Sequence, residues 1–107
     1  MQNWRPGQHL QCLDTFRVES ASGAVNPFRD CAILLEIWET GGLLQTSIAL
    51  PENTHLNIPS IGHGVSARVV SCQQDDYGFL EEIEIVSPEW FPQNYTPPYL
   101  IADGIPG

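Results

Sequence analysis

The sequence predicts a small all-β domain with a C-terminal arm rich in proline and aromatic residues. Three observations predict it. The chain has 107 residues, the size of one domain. Short apolar runs follow one another and are separated by turns that contain glycine or proline. No stretch longer than about ten residues repeats its apolar positions at the helical spacing, so an amphipathic helix is not expected as a major element.

The first three predicted strands include the most apolar part of the chain. Residues 10–19 form a weak strand candidate. Residues 31–38 (CAILLEIW) are almost wholly apolar, which indicates a central strand that is buried on both faces. Gly41 and Gly42 predict a tight turn in which glycine supplies positive φ angles. Residues 43–50 then resume the strand pattern.

Three further strands are predicted, at residues 54–58, 65–72 and 79–86. The middle one places three apolar residues on one face: Val65, Ala67 and Val69. In the last one, Glu82 and Glu84 point outward, whereas Glu81 breaks the alternation of apolar and polar side chains. The six strands have the lengths and spacings that are typical of a small barrel or sandwich.

The end of the chain differs in composition, and we expect residues 88–107 to form an extension of a domain that spans residues 1–87. Pro92 limits any helix in this arm to about one turn. Solvated aromatic clusters are uncommon outside interfaces, so the arm is expected to pack on the domain or on a second copy, as in a homodimer. Its predicted interface residues are Trp90, Phe91, Tyr95 and Tyr99.

The charge balance excludes several classes of partner. The chain has 13 acidic residues, four arginines and no lysine, which gives a net charge of -9. Non-specific binding to nucleic acid needs a basic surface, so no nucleic-acid partner is expected. No apolar run approaches the roughly 18 residues of a membrane-spanning helix, so no membrane insertion is expected. Because residues 71–107 contain no cation, any anion site is expected within residues 1–70.

The three cysteines predict a cytoplasmic protein with reduced thiols. Cys12, Cys31 and Cys72 are odd in number and widely spaced, with no Cys-x-x-Cys motif. The polar N-terminus does not have the pattern of a signal peptide. Cys31 and Cys72 lie at the ends of apolar strands, where a free cysteine is typically a small buried hydrophobic residue.

The order of elements in residues 31–86 resembles that of a PilZ domain. A strand ends at Gly41-Gly42, a second strand follows, and a proline-containing turn leads into an alternating strand. Residues 67–72 (ARVVSC), a polar hairpin and residues 77–79 (YGF) come next. The family is a six-stranded β-barrel that typically acts as a receptor for the bacterial messenger cyclic di-GMP. The resemblance therefore implies a PilZ-like β-barrel in a bacterial signalling protein.

The first ligand motif of that family is altered in this chain. The motif is an Arg-x-x-x-Arg segment ahead of the barrel, whose planar guanidinium groups clamp the phosphates and guanines of the messenger. The upstream arginines are Arg5, Arg17 and Arg29, and no two of them are four residues apart. The nearest match is Arg5-x-x-x-His9, and a histidine is mostly neutral at pH 7.

The second ligand motif, Asp/Asn-x-Ser-x-x-Gly, is altered as well. The aligned positions are Glu36, Trp38 and Gly41, and only the glycine matches. Trp38 places a large ring where the family has a small hydroxyl group. The resemblance thus implies a domain that keeps the fold of the family without its messenger site.

These observations predict a non-catalytic regulatory module that acts through protein contacts, with no cofactor and no metal. An adaptor role in surface motility or pilus assembly is what the resemblance implies for such a member. The first alternative is a cyclic di-GMP receptor with a non-standard site. Its ligand residues would be Arg5, Arg17, Arg29, Glu36, Trp38 and Gly41. The second alternative is a small enzyme or metal protein, which requires His55, His63 or a cysteine to converge in one pocket.

Overall fold

The computed structural model describes residues 8–101, and within them it contains seven β-strands and no helix. The prediction of an all-β chain is confirmed, and each of the six predicted strands is present. A seventh, two-residue strand lies in the C-terminal arm. The strands are β1 (Leu10–Ser20), β2 (Arg29–Trp38), β3 (Gly41–Thr46), β4 (His55–Ile58), β5 (Val65–Asp75), β6 (Gly78–Ile85) and β7 (Tyr99–Leu100).

The strands form one antiparallel sheet that closes into a ring. Their order is β2-β3-β6-β5-β4-β1-β7, and β1 also pairs with β2, so the first six strands have a neighbour on each side. The closure between β1 and β4 is short, because only Glu19 and Ser20 pair with β4. The small β7 adds to the outside of β1 at Cys12 and Leu13.

The interior of the ring is the hydrophobic core. The inward positions of β5 (Val65, Ala67 and Val69) have no solvent exposure, as the alternating pattern predicts. On β2, Ala32 and Leu34 are buried, but Ile33 and Leu35 on the other face are only half-buried. The expectation that this strand is buried on both faces is therefore wrong, because a ring of strands has a single interior.

The turn after β2 lies two residues earlier than the sequence suggests. Glu39 and Thr40 form the turn, and Gly41 and Gly42 begin β3 without positive φ angles. A Cβ atom on Gly41 would collide with the main-chain oxygen of Ile83 on the neighbouring strand β6. The glycines are therefore needed for the close approach of two backbones, not for a left-handed turn.

The end of β3 also differs from the predicted one. The strand expected over residues 43–50 ends at Thr46, and residues 47–54 form a loop. The hydroxyl of Thr46 donates to the carbonyl oxygen of Ile48, two residues later, a local hydrogen bond that competes with strand pairing.

The arm contributes directly to the core. Trp90 and Phe91 are 3% and 2% exposed and belong to the main hydrophobic cluster. The chain reverses at residues 91–94, and the Phe91–Pro92 peptide bond is cis. Tyr95 is half-buried, and its hydroxyl donates to the carboxylate of Asp14. Tyr99 is 69% exposed.

Candidate functional site

Four of the positions that the resemblance connects with a ligand lie together at one end of the ring: His9, Glu36, Trp38 and Gly41. The imidazole of His9 stacks on the indole of Trp38, with ring centroids 3.8 Å apart and an interplanar angle of 9°. Nδ1 of His9 lies 3.5 Å from Oε1 of Glu36. A Cβ atom on Gly41 would lie 3.0 Å from Nε1 of Trp38. The side chains of this chain thus cover the tryptophan, which is only 8% exposed.

The described arginines of the predicted ligand set are not part of this cluster. Gln11 on β1 is the partner of Glu36, and Arg17 lies six residues further along the same strand. At about 3.3 Å per residue, that is a separation of about 20 Å. Arg29 pairs with Glu19 and lies further still. Arg5 lies outside the described residues, so the cluster contains no described arginine that could clamp a phosphate.

The cysteines occupy three different environments. Cys31 is exposed, so the expectation that it is buried is wrong, because it lies on the outer face of β2. Cys72 is half-buried. Cys12 is buried, and burial, with the nearby charges of Asp14 and Glu36, raises the pKa of its thiol to about 12.

The two histidines of the enzyme or metal alternative lie in separate depressions. His55 lines a cleft of about 630 Å³, whereas His63 lines a smaller one beside β4 and β5. Among residues 8–101, no group of three or more histidine, cysteine or acidic side chains could hold a metal ion. The arrangement does not bring the two rings into one pocket.

The cleft beside His55 was not predicted from the sequence. It has a volume of about 630 Å³, within the range of about 300–1,000 Å³ that is typical of ligand pockets. Its walls come from residues 21–28, which join β1 to β2, and from residues 48–55, which join β3 to β4. Phe28, Ile48 and Leu50 supply large apolar side chains, and among the described residues no aspartate, glutamate or arginine lines the cleft.

Both walls of the cleft are shaped by local backbone features. In the first wall, Gly23 has a φ of 82°, and the amide of Phe28 donates to Oγ of Ser20. In the second wall, Asn53 adopts a left-handed φ of 71°, a conformation that asparagine tolerates better than most residues. The main-chain N–H of Asn53 donates to the main-chain carbonyl oxygen of Val69, and this hydrogen bond fixes the end of the loop to β5.

A buried carboxyl group lies behind the second wall. The Glu81 side chain on β6 has no solvent exposure. Its carboxyl oxygens lie 2.8 and 2.9 Å from Oγ1 of Thr46, and Oε2 accepts a hydrogen bond from the Cys72 thiol at 3.5 Å. Burial is the main cause that raises the pKa of Glu81. The break in the alternating pattern of β6 was the sequence signal for this group.

Comparison with known proteins does not assign the chain to a family. No family model matches the chain, and no curated protein or solved structure matches it. No helix among the described residues is long and apolar enough to cross a membrane. The candidate functions therefore depend on the residues and the geometry described above.

Proposed function

We propose that this chain is a cytoplasmic, non-catalytic interaction module that binds an uncharged, largely apolar segment of a protein partner. The observation that carries the proposal is the cleft between residues 21–28 and 48–55, which combines a volume of about 630 Å³ with a lining free of acidic residues and arginine. A cleft of this kind favours apolar side chains because their burial removes apolar surface from water.

The rim of the cleft supports an extended protein segment as the occupant. Ser22, Asn26 and Thr54 lie among the apolar lining residues and offer hydrogen-bonding groups. A peptide backbone needs such partners, because its own N–H and C=O groups lose water on binding. Val25 belongs to the same connection between β1 and β2 and is an apolar side chain that is 92% exposed.

The chemistry around Trp38 also favours protein contacts over messenger binding. His9 occupies the face of the indole on which a guanine would stack, and it lies beside the carboxylate of Glu36. A ligand would have to displace this ring and would then meet an acidic group. The PilZ resemblance adds that such a module belongs to a bacterial regulatory system, where it acts as an adaptor.

A cyclic di-GMP receptor with a non-standard site is the second candidate. One observation favours it: Glu36, Trp38 and Gly41, which the resemblance places at the messenger site, lie together with His9. Two phosphates require cations, and Arg17 lies about 20 Å away along β1. This candidate therefore ranks below the interaction module.

Chemical-shift mapping with defined probes tests the leading proposal. The labelled protein is titrated with acetyl-leucyl-phenylalanine amide, an uncharged apolar dipeptide, and with its charged counterpart, acetyl-aspartyl-glutamate amide. We expect the apolar probe to shift amide signals of residues 21–28 and 48–55 in a saturable manner. We expect the charged probe to leave them unchanged, because no arginine lines the cleft among the described residues.

Two matched variants locate the effect. Ala49→Asp places a charge on an exposed residue of the cleft wall, and Val86→Asp places one on an exposed apolar residue outside the cleft. The first variant should abolish the shifts and the second should retain them. Equal responses of both variants, or shifts that cluster around Trp38, would contradict the proposal.

A further inference from the structure

Glu81 is an acidic side chain in the interior of a protein whose other described acidic residues are all at least partly exposed. It lies on the inward face of β6, opposite Leu44 on β3 and Cys72 on β5. An ionised carboxylate is costly to bury, whereas a neutral carboxylic acid needs only its hydrogen bonds. The surrounding hydrogen bonds indicate which of the two forms the fold accommodates.

The hydrogen bonds of the Thr46 hydroxyl indicate whether the carboxyl group of Glu81 is ionised or neutral. Its Oγ1 lies 2.7 Å from the carbonyl oxygen of Ile48 and 2.8 and 2.9 Å from the two oxygens of Glu81. A hydroxyl group has one hydrogen to donate. The carbonyl of Ile48 has no hydrogen to donate. Its short contact with Oγ1 of Thr46 is therefore a hydrogen bond only when Thr46 donates to it. Glu81 must then donate to Thr46, which requires a protonated carboxyl group.

The other groups that face Glu81 do not supply a compensating positive charge. The thiol of Cys72 on β5 and the main-chain N–H of Leu50 donate hydrogen bonds to the carboxyl group. The negative charge of Asp30 on β2 repels the ionised form of the Glu81 carboxyl group. Burial, the larger cause, and the charge of Asp30 raise the pKa of Glu81, whereas Cys72, Leu50 and, when its hydroxyl turns toward the carboxylate, Thr46 lower it.

We propose that Glu81 is a proton-dependent switch that controls the loop after β3. In the closed state, the carboxylic acid donates to Thr46, and Thr46 donates to the carbonyl of Ile48; we call this chain of hydrogen bonds the Glu81 relay. When the acid loses its proton to water, the hydroxyl of Thr46 turns toward the carboxylate. The carbonyl of Ile48 then faces an oxygen with no hydrogen between them, and the loop separates from the ring at this point.

The movement should begin at Ile48, because the residue before it is held independently. The main-chain N–H and the hydroxyl of Ser47 both donate to the carboxylate of Asp30, at 2.8 and 2.9 Å. Ile48 and Leu50 line the cleft. The regulatory consequence rests on the proposed function: release of this wall at higher pH should weaken the binding of an apolar partner in the cleft.

A pH titration followed by nuclear magnetic resonance tests the switch on the unmodified chain. The carboxyl carbon of Glu81 and the amide signals of residues 48–50 are recorded together. We expect the carbon to titrate above 4.5, the ordinary value for glutamate, because burial disfavours the ionised carboxylate. We expect the three amides to move with the same midpoint. A carboxyl midpoint at the ordinary value, or amides that do not follow it, would overturn the inference.

Two variants separate the relay from general effects of pH. In Glu82→Gln, which changes the exposed neighbour on β6, both transitions should remain. In Thr46→Val, the carboxyl group should still titrate, but the amides of residues 48–50 should no longer follow it. No partner is present in these measurements, so a failed cleft experiment leaves the switch standing. A failed titration likewise leaves the cleft proposal standing.

Discussion

The indole nitrogen of Trp90 donates a hydrogen bond to the main-chain oxygen of Trp38, 52 residues earlier in the chain, across 2.9 Å. The same nitrogen lies 3.2 Å from the main-chain oxygen of Gly41. The ring itself is 3% exposed and packs within the hydrophobic core. The arm is thus attached to the ring at the turn between β2 and β3, by both apolar burial and hydrogen bonding.

Replacement of Trp90 by alanine should lower the free energy of unfolding by about 3–5 kcal/mol, because it removes a large buried side chain. Trp90→Phe keeps most of the apolar volume but loses the donor, so its cost should be smaller, about 1–3 kcal/mol. Urea denaturation measures both. Tyr99→Ala, at the exposed end of the arm, is the control and should change stability by less than about 0.5 kcal/mol. Equal losses for Trp90→Ala and Tyr99→Ala would contradict this account.

Truncation after Val86 should lower the melting temperature, because it removes both Trp90 and Phe91 from the core. A thermal melt monitored by circular dichroism and a mass measurement in solution check the result together. The truncated chain should also expose apolar core surface, which favours self-association. An unchanged melting temperature and an unchanged mass would show that the arm does not stabilise the domain.

Gly41→Ala should destabilise the protein by about 1–3 kcal/mol, because the added methyl group would collide with the main-chain oxygen of Ile83 and push β3 away from β6. Gly23→Asn is the contrasting variant, since Gly23 has open space around its Cα and a φ of 82° that asparagine tolerates. Its cost should be below about 1 kcal/mol. If Gly23→Asn proves the more damaging substitution, strand crowding is not the reason for a glycine at position 41.

Glu81→Gln should change how stability depends on pH. The folded protein holds the Glu81 proton more tightly than the unfolded chain, since burial raises the pKa of this carboxyl group. The stability that the proton provides is therefore complete below the ordinary value of 4.5 and is lost as the pH rises through the raised pKa. Between the ordinary and the raised pKa of Glu81, the free energy of unfolding falls by at most about 1.4 kcal/mol per pH unit.

The glutamine variant has no such proton, so it should match the original protein at pH 4 and exceed its stability at pH 8. Urea midpoints measured across this range give the comparison. Glu82→Gln serves as the control and should follow the original protein throughout. Parallel profiles for Glu81→Gln and the original protein would show that Glu81 carries no folding-linked proton.

Local patterns predicted the strands well, because alternation depends only on neighbouring residues. Val65, Ala67 and Val69 follow the two-residue period of a strand, and all three are buried. Gly41 was misread because a glycine in a turn and a glycine that permits close strand packing look the same in a sequence. What distinguishes them is the main-chain oxygen of Ile83, which comes from a strand 42 residues later.

The site was less predictable than the fold, because its parts come from distant segments. The cleft has one wall from residues 21–28 and another from residues 48–55, and the two meet where the end of β1 pairs with β4. Glu81 was conspicuous as an acidic residue at an inward position. Its partners Thr46 and Cys72 belong to other strands, so only the pairing of β3, β6 and β5 reveals the relay.

The central claim is that the cleft, and not the cluster around Trp38, is the binding surface. The most direct measurement is a pair of chemical-shift titrations of the same labelled protein, one with acetyl-leucyl-phenylalanine amide and one with cyclic di-GMP. The account predicts saturable shifts in residues 21–28 and 48–55 with the dipeptide and none with the nucleotide. Shifts at Glu36, Trp38 and Gly41 with cyclic di-GMP, and an unresponsive cleft, would contradict it.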